Sequence, residues 1–210
     1  MPSDDELNLV LQRALSTGGD FSELFLEDRN DTIIRCVQQR ISGITSLHIH
    51  GAGIHVLKGS GSVYVHSTDT SREGLLRLAE KAAALLPASA DTPARVPITF
   101  VQTVHPSPTP VEIHPRTVDT REKIRMLKEM ERAARSAGNV RTITAVYFDS
   151  VQHVLIANSE GMLTEDERTR TRVRLDTTVE VGSKTLFEFD DFVGPCGFEL
   201  FRGDYAGFAR

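Results

Sequence analysis

Three histidines, His48, His50 and His55, stand close together in the sequence, and imidazoles at such spacing are candidate metal ligands. On a strand, His48 and His50 would point to the same face, and a following strand could bring His55 opposite them. No acidic partner that would orient these imidazoles stands nearby in the sequence. We therefore favour a solvated strand face and predict no metal ligand among them.

Four arginines alternate with smaller residues at positions 168, 170, 172 and 174. On a strand, Arg168, Arg170, Arg172 and Arg174 would share one face, with guanidinium groups about 7 Å apart. Such a row could bind carboxylates or a nucleic-acid backbone. Acidic residues stand beside it at 165–167 and at 176, so a solvated, cross-paired face is the favoured interpretation. The four arginines are nevertheless our candidates for binding a substrate or a partner.

The sequence contains no motif that predicts a catalytic centre. The spacings HExxH, paired CxxC, GxSxG, the P-loop and GxGxxG are all missing. Two glycine-containing segments, 51–53 and 59–61, are flanked by predicted strands, so they predict hairpin turns and not phosphate-binding loops. Cys36 and Cys196 are far apart in the sequence and predict neither a disulfide nor a zinc site.

Composition narrows the class of protein. The chain has 210 residues, 40% of them hydrophobic, with 24 Lys plus Arg against 29 Asp plus Glu and a net charge of −5. These values are typical of a globular protein, and the acidic balance argues against a nucleic-acid partner. The acidic first residues and the lack of a long apolar run predict neither a signal peptide nor a membrane span, which favours the cytoplasm.

The order of a helix followed by a strand meander occurs twice. Capping pairs at 3/6, 70/73 and 119/122 each precede an apolar stripe at helical spacing. Short β-branched and aromatic segments at 21–27, 32–40, 44–50, 53–58 and 62–66 predict the first meander, and 140–148, 151–157, 162–181 and 185–189 predict the second. A further strand is possible within 96–104.

These elements predict an α+β protein of two-layer sandwich type, because each amphipathic helix needs a sheet to cover. We predict a first helix and antiparallel meander module at 1–86, a proline-rich extended connector at 87–116, and a second such module at 117–192. Residues 193–210 are predicted to begin a downstream domain.

Several segments resemble the N-terminal domain of the TldD/PmbA family, in particular its TldD branch. They are GDFSELFLE at 19–27, GAGIHV at 51–56, TREKI at 120–124, NSEGML at 158–163, VRL at 173–175 and GFELF at 197–201. They occur in the family's order over nearly the whole chain. The sequence departs from the family at His55, where an arginine is usual.

The resemblance implies a cytosolic zinc metallopeptidase whose metal is held by an HExxxH helix and a cysteine downstream of the matched region. Because HExxxH is missing from these 210 residues, no catalytic or metal-binding residue is carried over, and we expect an N-terminal portion of a longer protein with its zinc elsewhere. The resemblance also implies a peptide substrate, with this portion forming a wall of the substrate chamber. It further implies assembly as a homodimer or as a TldD/PmbA-type heterodimer.

Two other functions stay open at this point. One is a regulatory module that acts on a nucleic-acid or DNA gyrase complex through the row Arg168 to Arg174. The other is a pure assembly domain whose exposed sheet edges form a dimer.

Overall fold

A computed structural model of the chain describes residues 2–87, 97–104, 110–136 and 138–203. The elements are α1 (Asp4–Ala14), β1 (Phe21–Val37), β2 (Arg40–Lys58), β3 (Gly61–Ser67), α2 (Arg72–Ala84), β4 (Val101–Val104), α3 (Thr120–Ser136), β5 (Val140–Asn158), β6 (Met162–Val181) and β7 (Lys184–Gly194). Short 3₁₀ helices lie at Pro115–Thr117 and Phe198–Phe201. The predicted α+β class is confirmed.

The described strands pair in the order β3-β2-β1-β5-β6-β4, and β7 also pairs with β6, so the seven strands belong to one hydrogen-bonded sheet. The pairs β2/β3 and β6/β7 are antiparallel, as predicted. Strand β4 runs parallel to β6, with Val101 opposite Met162. The sequence predicted antiparallel meanders only, and it missed this pair because β4 reaches the sheet through a long connection and not through a hairpin.

The chain divides into two compact units. Unit 1 comprises Met1–Asp28, Ile49–Pro106 and His153–Glu167, and unit 2 comprises Arg29–His48, Ser107–Gln152 and Arg168–Arg210. Strands β1, β2, β5 and β6 contribute residues to both units. Each unit therefore combines segments from both halves of the sequence. The predicted modules at 1–86 and 117–192 and the connector at 87–116 are each continuous in sequence, and these boundaries stay predictions. The predicted further domain at 193–210 lies partly outside the described residues.

In unit 1, α1 and α2 pack together on one face of the strands. Their apolar stripes join strand residues in a single core, whose largest members include Leu7, Leu11, Leu24, Ile54 and Leu75. The predicted capping box at Ser3 and Glu6 is present, because Ser3 Oγ accepts from the Glu6 amide and the Glu6 side chain accepts from Ser3. Helix α2 is capped by Ser71 and not by the predicted Thr70.

In unit 2, α3 covers the strands with the stripe that helical spacing predicts, and the described residues of this stripe are Ile124, Leu127, Met130 and Ala134. Leu127, Met130 and Ala134 are buried, Ile124 is half-buried against the same core, and Met126 is buried beside them. Two charged side chains, Lys123 and Glu131, are buried with the apolar ones. Lys123 Nζ lies 2.6 Å from Asp149 Oδ2, and both side chains are at most 5% exposed. The last residue of the predicted stripe, Ala137, lies outside the described residues.

The turn between β1 and β2 lies at Gln38 and Gln39, which both have positive φ, 52° and 65°. Because such turns favour Asn and Gly, the Ser-Gly pair at 42–43 predicts the break between these two strands. That prediction was wrong. The buried Glu131 carboxylate accepts hydrogen bonds from the backbone amide and the side-chain amide of Gln39. A tertiary contact with α3 therefore stabilises a turn that the local residues do not specify.

Three other predicted strand breaks are also absent. One is the break at 149–150, because β5 runs unbroken from Val140 to Asn158. Strand β1 continues through Asn30 and Asp31, where Arg29 Nε lies 3.3 Å from Asp31 Oδ2 on the same face of the strand. Strand β2 continues through 51–53, so the predicted turn there was wrong. A Cβ at Gly51 would lie 2.8 Å from the Ser67 carbonyl oxygen, so glycine there permits close approach of β3. The predicted hairpin turn at 59–61 is confirmed by the pairing of Lys58 with Gly61.

We predict that Lys123→Met destabilises unit 2 by about 3–5 kcal/mol, because it leaves the Asp149 carboxylate buried without its cation. Lys81→Met, which removes an exposed lysine from α2, should change the free energy of unfolding by no more than about 0.5 kcal/mol. Urea unfolding followed by circular dichroism measures both variants. Equal stability of the two variants would show that the buried pair contributes nothing.

Gly161→Ala should cost more stability than Gly59→Ala. Both glycines have positive φ, 92° and 54°. An alanine with positive φ costs about 1–2 kcal/mol of stability. At Gly59 we expect this cost alone, because an added Cβ would meet nothing within 4 Å. At Gly161 the Cβ would lie 2.5 Å from the Thr99 carbonyl oxygen, which adds about 1 kcal/mol or more. Thermal unfolding of the two variants checks the order, and a reversed order would contradict it.

Candidate functional site

Unit 1 contains a groove of about 700 Å³ beside the first turns of α1 and α2. Its apolar surface includes Val10 from α1, Leu75 from α2, Leu26 from β1 and Leu155 from β5. All four belong to, or pack against, the core under the two helices. The groove thus lies on the helix-bearing face of the strands and offers an apolar surface to a ligand.

A row of polar side chains crosses the groove from strand to strand. His50, Asp28, His153 and Glu167 lie on β2, β1, β5 and β6, which are successive neighbours in the sheet. His50 Nδ1 lies 3.5 Å from Asp28 Oδ2, and His153 Nδ1 lies 3.4 Å from Glu167 Oε2. Three strand spacings of about 4.8 Å make the row about 14 Å wide.

Strand alternation explains why these polar residues lie beside the apolar ones. Asp28 follows Leu26 by two residues, and His153 precedes Leu155 by two, so each pair shares a face. Along each strand the same face therefore changes from apolar, under the helices, to polar beyond them.

The groove carries an excess of negative charge. One guanidinium, that of Arg72, lines it, and its Nε lies 3.9 Å from Glu6 Oε1. Six acidic residues line it, namely Glu6, Glu27, Asp28, Glu165, Asp166 and Glu167. Strand alternation places the carboxylates of Asp28, Glu165 and Glu167 on the groove face and those of Glu27 and Asp166 on the other face. Carboxylates gathered around an apolar surface produce a negative potential that attracts cationic groups.

The amino-terminal ends of α1 and α2 border the groove, and side chains of this chain cap both. Glu6 Oε2 accepts from the Ser3 amide at 2.9 Å, and Ser71 Oγ accepts from the Gly74 amide at 3.1 Å. His50 Nε2 and Thr70 Oγ1 lie 2.7 Å apart, which links β2 to the residues just before α2. These caps therefore satisfy amides at the starts of both helices with side chains of this chain.

The sequence does not predict this groove. It predicts only that the acids at 165–167 pair with the neighbouring arginines. Strand alternation places Leu163, which is in the core, on the same face as Glu165 and Glu167, and this pattern indicates a face that changes from apolar to acidic. Whether such a face lines a groove depends on which strands lie next to β6.

The structure places the four predicted arginines on one face of β6, opposite the buried Thr169, Thr171, Val173 and Leu175. Arg172 makes two hydrogen bonds to Asp191, of 2.7 and 2.8 Å. These bonds hold the pKa of the Asp191 carboxyl below its usual range and raise the pKa of Arg172. Arg174 Nε donates to Asp176 at 2.7 Å, and its guanidinium lies 4.1 Å from the centre of the Phe189 ring.

Cross-pairing is therefore present at Arg172 and Arg174, while Arg168 and Arg170 are exposed. A role of this row in binding a substrate or partner stays a prediction.

The three histidines do not converge as the sequence allowed. His48 and His50 are exposed and share a face of β2, but His55 lies on the same strand with the opposite parity. His55 Nε2 lies 2.7 Å from Ser62 Oγ, and its ring packs edge-on against Tyr64. The idea that a separate strand carries His55 was wrong, because β2 continues through Gly51 and Gly53.

Both cysteines are buried free thiols. Burial, reinforced by the nearby Glu131 carboxylate, raises the pKa of Cys36 to about 11, and burial also raises the pKa of Cys196. Within the described part of the chain, no helix has the length and apolar character needed to cross a membrane.

Comparison with solved structures shows the fold. A candidate modulator of DNA gyrase from Bacteroides thetaiotaomicron matches with a TM-score of 0.75 and 14% identity, over 100% of this chain and 49% of its own. A candidate DNA gyrase modulator from Thermotoga maritima matches with a TM-score of 0.70 and 13% identity, over 98% and 46%. TldE from Thermococcus kodakarensis matches with a TM-score of 0.69 and 16% identity, over 97% and 45%. The chain thus spans about half the length of these proteins.

A comparison with curated proteins finds no match. Two family models do match the sequence. PmbA/TldA metallopeptidase domain 1 matches residues 22–86, and the PmbA/TldA metallopeptidase central domain matches residues 113–208. The two models describe domains of one family and together match more than half of the chain, which therefore belongs to the PmbA/TldD metallopeptidase family.

Proposed function

We propose that this chain forms the non-catalytic, peptide-receiving part of a TldD-like zinc metallopeptidase. The observation that carries the proposal is the unit 1 groove, in which an apolar surface is bordered by a row of hydrogen-bonding side chains. A volume of about 700 Å³ lies within the usual range of ligand sites and suits a few residues of an extended peptide. An apolar side chain of a peptide would contact the half-buried Leu26, and its polar groups would contact the row.

The zinc chemistry belongs, in this proposal, to residues other than these 210. The family models describe metallopeptidase domains, which supports a metal in the whole protein. The metal-binding motif HExxxH does not occur in this sequence. Cys36 and Cys196 do not fit a metal-binding role, because both are buried and burial favours their protonated thiol forms. Accordingly, we assign no step of hydrolysis to this chain. The cytoplasmic location stays a prediction.

The groove can be tested by filling it. Thr70→Trp places a large ring at the groove, where Thr70 contacts His50, and should weaken binding of fluorescently labelled unstructured peptides to the purified chain by about tenfold or more. Thr68→Trp is the matched control, because Thr68 is exposed, lies two residues away and does not line the groove. Fluorescence anisotropy measures both. Unchanged binding by Thr70→Trp, or no peptide binding by the unsubstituted chain, would overturn this role.

A second role, subunit assembly, is supported by an exposed apolar surface on β7. Phe187, Phe189 and Val193 are 62%, 56% and 61% exposed, and strand alternation places them on one face. We call these three residues the β7 surface. Exposed apolar patches of this kind are typical of contacts between proteins. We propose that a second copy of the chain, or a related subunit, covers the β7 surface.

Phe187→Ser should shift the chain from dimer to monomer in sedimentation velocity, because it removes the most exposed ring of the β7 surface. Tyr64→Ser on β3, where the ring is 60% exposed, is the control and should leave the dimer intact. A chain that sediments as a monomer before any substitution would contradict assembly of a homodimer through the β7 surface.

A further inference from the structure

We propose that the groove of unit 1 selects peptide segments in which a lysine or arginine stands beside an apolar residue. This inference rests on the proposed peptide-receiving function and adds the class of substrate that the groove accepts.

The first argument is charge complementarity. The carboxylates of Glu6, Asp28, Glu165 and Glu167 outnumber the single guanidinium of Arg72 among the groove-lining residues, so a cationic side chain gains favourable interactions there and an acidic one is repelled. Asp28 and Glu167 are 45% and 47% exposed, so their carboxylates can be reached from solvent even though His50 and His153 lie beside them. Glu165 and Glu167 alternate on β6 and point to the same face, which gives a cation two neighbouring acceptors.

The second argument is the apolar surface. Leu26 lines the groove and is only half-buried, while the other apolar lining residues Val10, Leu75 and Leu155 are at most 2% exposed and form a firm wall of the unit 1 core. A bare metal ion would gain nothing from the open apolar area at Leu26, whereas an apolar residue of a peptide would cover it. The methylene stem of a lysine or arginine would likewise lie along apolar surface while its charged end contacts the carboxylates.

The third argument is the width of the polar row. About 14 Å separates its two ends, from His50 on β2 to Glu167 on β6, which corresponds to roughly four residues of extended peptide. An extended peptide lying across the strands can therefore place one residue on the apolar wall and another at the carboxylates of β6.

The test measures binding of two labelled heptapeptides to the purified chain by fluorescence anisotropy. The peptides have the same apolar residues and differ only in carrying two lysines or two glutamines. The double variant Glu165→Gln with Glu167→Gln should lose about tenfold in affinity for the lysine peptide and change little for the glutamine peptide. The control variant, Glu160→Gln with Glu188→Gln, makes the same change in net charge at two exposed glutamates that do not line the groove.

The outcomes separate the inference from the function on which it rests. Preference for the lysine peptide that disappears in the groove variant, but not in the control, supports both. Equal binding of the two peptides keeps the peptide-receiving function and overturns the charge preference. Failure to bind either peptide overturns both the peptide-receiving function and the charge preference. Binding of Mg²⁺ or Mn²⁺ in calorimetry without binding of a peptide overturns both as well. Equal loss in the groove variant and the control would show that net charge alone, and not this site, attracts the peptide, which overturns the inference.

Discussion

Burial of helix stripes against strand faces is the constraint on which the structure depends. In unit 1 two helices with apolar stripes, α1 and α2, share one core with strand residues such as Leu24 and Ile54. In unit 2 the helix α3 covers strand residues such as Ile143 and Tyr147. Each helix is too amphipathic to be stable alone, and its contribution to stability comes from the strand face that it covers. The strands that supply these faces come from both halves of the sequence.

The groove is a consequence of the same packing. The strand face under α1 and α2 stays apolar as far as the helices cover it, and beyond their first turns the same face carries His50, Asp28, His153 and Glu167. Side chains that no longer lie under a helix meet solvent, where charged groups keep their hydration. A recess with an apolar side and a charged side therefore forms where the helices end, and this combination supports the proposal of a peptide ligand.

Unit 2 shows how buried charge can specify local structure. Glu131 on α3 is fully buried and accepts two hydrogen bonds from Gln39 in the β1–β2 turn. Lys123, about two turns earlier on α3, forms an ion pair with the buried Asp149. Polar groups inside a core require partners, so these contacts restrict which face of α3 can lie on the strands. They also explain why the buried face of α3 contains two charged residues in addition to the apolar stripe that the sequence predicts.

The sequence by itself determined the helices, most strand segments, the α+β class and, through six ordered segments, the family resemblance that the family models confirm. Local signals were sufficient there, since a capping pair such as Ser3 and Glu6 or a turn such as 59–61 acts within a few residues. Only the tertiary structure decided that β1 and β2 run unbroken, that Gln38 and Gln39 form their turn, and that residues from β1, β2, β5 and β6 meet in the groove. The physical reason is that strand pairing and burial join residues far apart in the chain, and no local pattern states which strands become neighbours.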